Sequence, residues 1–306
     1  MSPKKFYIGI DSGGTKLELM FADTDLKIIS EHTFKGFHYS LNGLDKTSEK
    51  LSEYINEALK KKKLSLKNCE GICFGIAGAR EDADRRRLKN KFISRLKFKN
   101  IIVTTDAMNA VYGALNGEDG MILISGTGSV LYGKHNNKFH RVGGWGRILG
   151  DQGSGYWLGH SALRMITPEY DFPNAKKSYL LKAIEKDHGI TKENIVDYTF
   201  NGKVEIQRIA ETVIKCAEKK DKNSLLLTDI AADGLFYHVE TYLKVSKVKA
   251  KIDLALIGSI VENKNPVSQK FISRVKKEFK NVIIIPKNNS STYGAILLCK
   301  KTFGSI

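Results

Sequence analysis

The sequence predicts an α/β protein with two domains, on three observations. Short apolar runs that suit buried strands alternate with segments of helical spacing, which is typical of layered α/β proteins. A strand, a glycine turn and a second strand occur near the start of the chain and again after residue 119. The chain also has 306 residues, whereas a single core usually stops growing at about 250–300 residues.

The first half of the sequence predicts three strands, followed by helices that alternate with two more strands. Strands are expected at residues 6–11, 17–22, 26–34, 71–77 and 101–105, and helices at 45–63, 85–96 and 107–115. The pattern then restarts, with strands at 120–125, 129–132, 138–142, 252–257 and 282–286 and helices at 155–166, 175–187, 206–219, 224–245, 267–279 and 291–300. This likeness of pattern suggests a duplication.

A polar turn at residues 116–119 marks the predicted boundary between the halves. We expect an N-terminal domain of residues 1–117, completed by a C-terminal helix over 291–306. The C-terminal domain would span 118–290 and carry a helical insertion.

Composition narrows the function classes. The formal net charge is +17, but the lysines are scattered and no nucleic-acid-binding motif accompanies them, so a solvated basic face is favoured over a nucleic-acid partner. No apolar run approaches about 18 residues, so we expect a cytoplasmic protein without a membrane partner. The four cysteines form no CxxC pair and are interpreted as buried, reduced thiols.

The first glycine turn, DSGGTK at residues 11–16, is a candidate phosphate site. Two glycines between strands permit a tight turn whose backbone N–H groups can hold phosphate oxygens. The Thr15 hydroxyl and the Lys16 cation can add to this, and Asp11 can hold Mg²⁺ through water. Taken alone, the turn is equally well explained as an ordinary hairpin.

A second turn of this kind, SGTG at residues 125–128, follows the first strand of the second half. Two such turns, one in each half, could hold one polyphosphate. The pattern is neither a P-loop nor a dinucleotide fingerprint, because the glycines join two strands and do not open a helix.

Asp106 ends an apolar strand and precedes a helix of small residues. A carboxylate there can accept the proton of a hydroxyl group during phosphoryl transfer. The alternative, a helix N-cap, has equal weight at this point.

The segment at residues 143–159 contains seven glycines and both tryptophans in seventeen residues. We expect Trp145 to face a sugar in the cleft, Trp157 to pack in the core, and Asp151 to accept hydrogen bonds from sugar hydroxyls. Gly258 and Ser259 end another strand, a position where adenosine binds in open α/β sheets.

Together these segments resemble the N-acetylglucosamine kinase branch of the BadF/BadG/BcrA/BcrD ATPase family, within the actin, hsp70 and hexokinase superfamily. The resemblance rests on GIDSGGTK, TTDAMNA, ISGTGS, GGWGRILGDQGSGYWLG and IGS, which follow in this order along almost the whole chain. It implies two ribonuclease H-like domains of the actin-like ATPase fold with a central cleft. It also implies ATP and Mg²⁺ as cofactors, a small-molecule sugar as partner, and a homodimer as one candidate assembly.

The resemblance assigns roles to individual residues. One phosphate loop would consist of Asp11, Gly13, Gly14, Thr15 and Lys16, and the other of Gly126, Thr127 and Gly128. Asp106 would be the catalytic base and also touch the sugar. The sugar would further contact Gly144, Trp145, Gly146, Asp151, His38, Ser40 and Gly78, and adenosine would bind at Gly258 and Ser259.

One departure concerns the loop at residues 36–42. The family usually has an Asn and an aromatic residue there, and this chain has His38 and Ser40 at the matching positions.

The expected reaction is phosphorylation of a hydroxyl group, the 6-hydroxyl, of N-acetylglucosamine or a related hexosamine or hexose. Glucosamine, N-acetylmuramate and plain hexoses stay open as substrates.

Two other functions are weighed against the kinase. An ATPase activator of a 2-hydroxyacyl-CoA dehydratase or benzoyl-CoA reductase would need cysteines for an iron–sulfur cluster, and Cys73 lies inside a predicted buried strand. A non-catalytic sugar sensor usually adds a DNA-binding domain, and the first strand begins at Phe6.

Overall fold

The computed structural model describes residues 5–136, 138–172 and 174–304. The chain packs into two compact units. The first extends to Glu118 and includes the chain again from Lys287, and the second is Asp119–Pro286.

The first unit contains a five-stranded sheet in the order β3-β2-β1-β4-β5. Its strands are β1 (Phe6–Ser12), β2 (Lys16–Asp23), β3 (Ile28–Lys35), β4 (Cys69–Ile76) and β5 (Ile101–Thr104). Strand β1 pairs antiparallel with β2 and parallel with β4, which pairs parallel with β5. Strands β1 and β4 are buried on both faces, because helices cover the sheet from both sides.

The helices of this unit are α1 (Tyr39–Lys62), α2 (Asp82–Leu96), α3 (Asp106–Ala114) and α11 (Ser291–Phe303). Alternate residues of β1 enter different cores, as a strand requires. Phe6 and Ile8 pack with buried residues of α1 and α2, whereas Tyr7 packs with Ile296 and Cys299 of α11.

The second unit contains a sheet in the order β10-β9-β6-β7-β8. Its strands are β6 (Gly120–Ser125), β7 (Ser129–His135), β8 (Lys138–Gly143), β9 (Ile252–Ile257) and β10 (Val282–Ile285). Its helices are α4 (Gly155–Ile166), α5 (Tyr179–His188), α6 (Ile195–Phe200), α7 (Ile209–Glu218), α8 (Lys222–Ser246), α9 (Ser259–Glu262) and α10 (Pro266–Glu278). Short 3-10 turns precede β4, follow α4 and precede α7.

Both sheets have the same strand order when each is read from its antiparallel edge. In each sheet, two antiparallel neighbours follow the central strand along the chain, and two parallel strands come later. The repeated pattern in the sequence therefore corresponds to a repeated sheet topology. The expected α/β fold class is confirmed.

Several element boundaries differ from those predicted. Helix α1 begins at Tyr39 and not at 45, and Gly43 interrupts it with a non-helical φ of 73°, which hides its first turn from a periodicity argument. Helix α5 begins at Tyr179 and not at 175, because the Ser178 hydroxyl accepts a hydrogen bond from Leu181 N as an N-cap. All four cysteine side chains are buried, as expected. Within the described ranges, no helix is both long and apolar enough to span a bilayer.

Candidate functional site

The first glycine turn joins β1 to β2. Gly13 N–H closes the turn by donating to Lys16 O at 3.0 Å, so this N–H is not free. The N–H groups of Gly14 and Thr15 have no protein acceptor among the described residues, and both residues are exposed. These two groups can bind an anion. The Lys16 ammonium pairs with Glu18 Oε1 at 2.5 Å.

His38 lies between this turn and the loop that follows β4. A Cβ atom at Gly14 would be 3.8 Å from His38 Cδ2, and one at Gly78 would be 2.6 Å from both His38 Cε1 and Ser40 Oγ. Gly78 also has a φ of +87°, so both the lack of space for a Cβ atom and the backbone conformation favour glycine at this position. The structure thus brings together His38, Ser40 and Gly78, three of the four sugar-binding candidates of the first unit. His38 Nδ1 is buried and has no hydrogen-bond partner within the described residues.

Hydrogen bonds hold these loops in place. Ser12 Oγ donates to Phe37 O at 2.8 Å, and Tyr39 N donates to Ala77 O at 3.1 Å. The Arg85 guanidinium donates to Ala79 O at 2.8 Å and to Arg80 O at 2.5 Å, just beyond Gly78. The conformation of the loop at 77–80 therefore depends on a side chain of α2.

Asp11 ends β1 beside the first turn. Burial raises the pKa of its carboxyl to about 7, with further contributions from the negative charges of Asp106 and Glu18. Asn109 and Lys16 act in the opposite direction. The carboxyl of Asp11 is thus close enough to Asp106 for the two charges to interact.

Asp106 is the first residue of α3, and Thr105 is the N-cap. The Thr105 hydroxyl accepts a hydrogen bond from Met108 N at 3.2 Å. The alternative that made Asp106 the N-cap is therefore wrong, because the preceding residue already has that role. Asp106 Oδ1 accepts only a local hydrogen bond from Ala107 N, at 2.9 Å, among the hydrogen bonds described. The half-buried carboxylate retains capacity to accept a proton.

The second glycine turn joins β6 to β7 and is closed, like the first, by the N–H of its first glycine, although the accepting carbonyl lies two residues on and not three. Gly126 N–H closes it by donating to Gly128 O at 3.0 Å, while the N–H groups of Thr127 and Gly128 have no acceptor in the described parts of the chain. The turn also rests on the start of α4, because Gly155 N donates to Gly126 O at 2.7 Å. It offers an anion the same two N–H groups.

The glycine–tryptophan segment at 143–159 packs against this second turn. Ser125 Oγ and Ser129 Oγ, at the two ends of the turn, donate to Gly153 O and Gln152 O at 2.9 and 2.7 Å. A Cβ atom at Gly128 would be only 2.7 Å from Asp151 Oδ2. Asp151 is therefore beside the second turn.

The side chains of this segment have different environments. Asp151 is buried, and its Oδ1 accepts a hydrogen bond from Gly146 N at 3.2 Å, which fixes the backbone next to Trp145. Trp145 is 69% exposed, with Arg141 over its ring. Trp157 is half-buried and packs against the core, in agreement with its predicted role. Gly144 N donates to Ser129 O at 3.1 Å.

Gly258 and Ser259 link β9 to the short helix α9. Gly258 has a φ of 103°, and a Cβ atom there would be 2.4 Å from Ser125 O, so the end of β9 directly contacts the second turn. Ser259 lines a pocket of about 450 Å³ together with Gly126 and Thr127. A cavity of this size suits a small organic ligand.

Sequence reasoning missed much of this pocket. Its wall includes polar side chains of the helical insertion and of the loop after α9, namely Gln207, Arg208, Glu211, Lys215, Asn263 and Lys264. Glu211 and Lys215, four residues apart on α7, share one helical face, and Gln207 lies in the 3-10 turn just before it. The polar spacing of these residues is visible in the sequence. No local sequence pattern, however, indicates that they lie beside the second glycine turn.

The surroundings of Asp11 suit Mg²⁺ better than a metal ion that takes most of its ligands from protein side chains. Its Oδ1 is buried and has no hydrogen-bond partner among the described residues, and a carboxylate oxygen is the ligand that Mg²⁺ prefers. No group of three or more His, Cys, Asp and Glu side chains in the described ranges could hold a metal. Magnesium usually takes one or two carboxylates, with water and phosphate as its other ligands.

The family is decided by a match over nearly the whole chain. The model of the BadF/BadG/BcrA/BcrD ATPase family matches residues 8–298. This protein belongs to that family. The matched residues include both glycine turns, Asp106 and the glycine–tryptophan segment, so the family expected from the sequence is confirmed.

Two curated relatives match this BadF/BadG/BcrA/BcrD family member over almost their full lengths. An N-acetylmuramic acid/N-acetylglucosamine kinase of Clostridium acetobutylicum is 32% identical, with 97% of this chain and 98% of the relative covered. An N-acetyl-D-glucosamine kinase of Dictyostelium discoideum is 25% identical, with 96% and 98% covered.

A solved structure supports the fold of this family member. The crystal structure of a candidate N-acetylglucosamine kinase from Chromobacterium violaceum superposes with a TM-score of 0.70 at 21% identity. The match covers 97% of this chain and 99% of that one. The likeness extends across both units.

Proposed function

We propose that this protein is an ATP-dependent sugar kinase that phosphorylates a hydroxyl group, the 6-hydroxyl, of N-acetylglucosamine or N-acetylmuramic acid. The similarity to the N-acetylmuramic acid/N-acetylglucosamine kinase of C. acetobutylicum, 32% identity over 97% of the chain, carries the proposal. The geometry of both glycine turns supports it.

The two turns would hold the phosphates of ATP. Each is closed by the N–H of its first glycine and leaves the next two N–H groups, of Gly14 and Thr15 or of Thr127 and Gly128, to donate to phosphate oxygens. Backbone donors fixed by the fold need no reorganisation as charge develops on the transferred group. The Thr15 and Thr127 hydroxyls are exposed at the same turns. Lys16, now paired with Glu18, would add a cation.

Asp106 would act as the catalytic base. Its carboxylate would orient the sugar hydroxyl and accept the proton as the oxygen bonds to phosphorus. Thr105 fixes the start of α3 and so the place of this carboxylate. Asp11, with its unpartnered Oδ1, would hold Mg²⁺ through water. When bound, the ion would offset negative charge on the phosphates.

The sugar would contact His38, Ser40, Gly78 and Asp106 in the first unit. A histidine with a buried, unpartnered Nδ1 can donate to or accept from a sugar oxygen, and it differs chemically from the Asn expected in this branch. From the second unit, Trp145 would contribute its exposed ring, and Gly144, Gly146 and Asp151 the backbone that supports it.

The pocket of about 450 Å³ in the second unit would take the adenosine of ATP. Ser259 lines it and the preceding Gly258 contacts the second turn, so phosphates held at that turn would continue directly from the pocket. Lys215 and Lys264, which also line the pocket, provide cations near an anionic ligand.

The activator alternative receives no support from the cysteines. All four are buried, and burial raises the pKa of the Cys69 thiol to about 12, which opposes the thiolate form that binds iron. A cytoplasmic location and a homodimeric assembly complete the proposal.

A coupled ADP-release assay tests the kinase. Purified protein with MgATP would be offered glucose, glucosamine, N-acetylglucosamine, N-acetylmuramate and mannose in turn. We expect turnover to depend on the sugar and to be highest with one of the N-acetylated sugars, and ³¹P–¹H NMR of the product to place the phosphate on oxygen 6. ADP release that is indifferent to every sugar would contradict the proposal and favour an ATPase activator.

A further inference from the structure

Asn109, on α3, is a fully buried polar residue to which the proposed chemistry gives no role. Buried amides are nearly always hydrogen-bonded, and this one is held at both ends. Its Nδ2 donates to Ile10 O at 3.0 Å, across 99 positions of sequence, and its Oδ1 accepts from the Cys73 thiol at 3.7 Å. The side chain therefore links α3 to strands β1 and β4.

The sheet is shaped to admit this amide. A Cβ atom at Gly75 would be 2.0 Å from Asn109 Nδ2, so only glycine fits at that position of β4 while the amide stays in place. Glycine inside a strand weakens it, and such a position often marks a close approach of another group. Gly75 is also the residue that pairs with Asp11 in the register of β1 and β4.

Helix α3 is held closely from its other side at the same level. A Cβ atom at Gly294 of α11 would be 2.0 Å from Asn109 O. The backbone of α3 at Asn109 is thus packed against α11, while its side chain reaches β1. Little freedom is left for this turn of the helix.

This amide joins the two segments that carry the carboxylates of the proposed reaction. It binds the carbonyl of Ile10, directly before Asp11, and it is three residues after Asp106, one helical turn along α3.

We propose that Asn109 is a positioning residue, which fixes the end of β1 with Asp11 against the first turn of α3 with Asp106. The catalytic consequence rests on the proposed function, whereas the link between the two elements does not. Asn109 itself would not touch either substrate.

Two substitutions perturb the amide by different routes. Asn109→Leu removes the hydrogen bonds at similar volume, and Gly75→Ala leaves the amide in the chain but places a methyl group where its nitrogen lies. The readout is hydrogen exchange of the backbone amides, measured by NMR. We expect exchange at the end of β1 and in the first turn of α3 to become about fivefold to tenfold faster in both variants, because the link that joins these two segments is lost.

Activity provides a second readout. If the link positions Asp11 against Asp106, kcat should fall about tenfold in both variants, with the KM values for sugar and ATP nearly unchanged. Asn288→Ala is the matched control, because Asn288 Nδ2 donates to Ala114 O at the other end of α3 and is remote from Asp11 along that helix.

Unchanged hydrogen exchange at both segments in either folded variant would overturn the proposal, and circular dichroism identifies the folded ones. If only Gly75→Ala folds, its exchange alone decides. Faster exchange in the variants, together with no sugar-dependent turnover in the unaltered protein, would contradict the proposed kinase and leave the link made by Asn109 standing.

Discussion

The two glycine turns offer the same two N–H groups and have different surroundings. Each is closed by its first glycine, although the accepting carbonyl lies three residues on in the first turn and two residues on in the second. The turn at 11–16 is beside ionisable groups, Asp11 and His38, whereas the turn at 125–128 is beside a pocket of about 450 Å³ and is supported by Asp151 and the start of α4. Under the proposed function, a repeated turn would therefore serve chemistry in one half and nucleoside binding in the other, because the neighbouring segments differ.

The largest effect is expected at the first unit from Asp106→Asn. Loss of a general base lowers kcat by about 10²–10⁴-fold, while the KM for ATP should change little because the turns are intact. Steady-state kinetics with the preferred sugar measure both. Asp25→Asn, an exposed carboxylate in the turn between β2 and β3, is the control with unchanged kinetics. Full activity in Asp106→Asn would place the base elsewhere.

Asp11→Asn should reduce activity and yet stabilise the fold at high pH. The pKa of Asp11 is about 7, above its ordinary 3.8, so between these values the folded protein holds a proton that the unfolded chain releases. The stability contributed by this group therefore falls as the pH rises through that window. The amide removes this cost, so we expect a gain of about 4 kcal/mol at most at pH 8 and almost none at pH 4.

Urea unfolding of both proteins at the two pH values measures this difference. A variant that is less stable than the parent at pH 8 would show that the ionised carboxylate contributes favourable interactions in the fold.

In the second turn, Gly128→Ala and Gly126→Ala should differ. A Cβ atom at Gly128 would be 2.7 Å from Asp151 Oδ2, whereas one at Gly126 would meet nothing within 4 Å. We expect the KM for ATP to rise about tenfold in Gly128→Ala, corresponding to about 1.4 kcal/mol, and less in Gly126→Ala. The KM for sugar should move less than that for ATP in both. Equal effects of the two substitutions would argue against a role for Asp151 in shaping the turn.

The smallest effect is expected from Arg85→Ala, beside the first unit's sugar candidates. Arg85 holds the carbonyls of Ala79 and Arg80 next to Gly78, so its loss should loosen the loop that contacts His38 and Ser40. We expect the KM for sugar to rise about threefold to tenfold, with the KM for ATP unchanged. Arg86→Ala, an exposed neighbour on α2, is the matched control. A change in the KM for ATP alone would contradict this assignment.

Much of the fold and part of the site could be predicted from sequence because the signals are local. The ten strands and both glycine turns have short-range patterns, and apolar runs in a parallel sheet are buried whichever helix covers them. Gly78 was predicted from resemblance alone, and the structure explains the residue by its φ and by the nearness of His38 and Ser40. Start points of helices were less certain, as Gly43 in α1 and Ser178 before α5 demonstrate.

The sequence by itself determined the α/β class, the repeated turn and the identity of Asp11 and Asp106 as candidates, since each depends on residues within one short segment. Only the tertiary structure decided that Asn109 reaches Ile10 across 99 positions, that Gly75 makes room for it, and that Asp11 has a pKa near 7. It also decided which side chains of the insertion line the pocket. Burial and long-range hydrogen bonds depend on which segments pack together, and no local pattern contains that information.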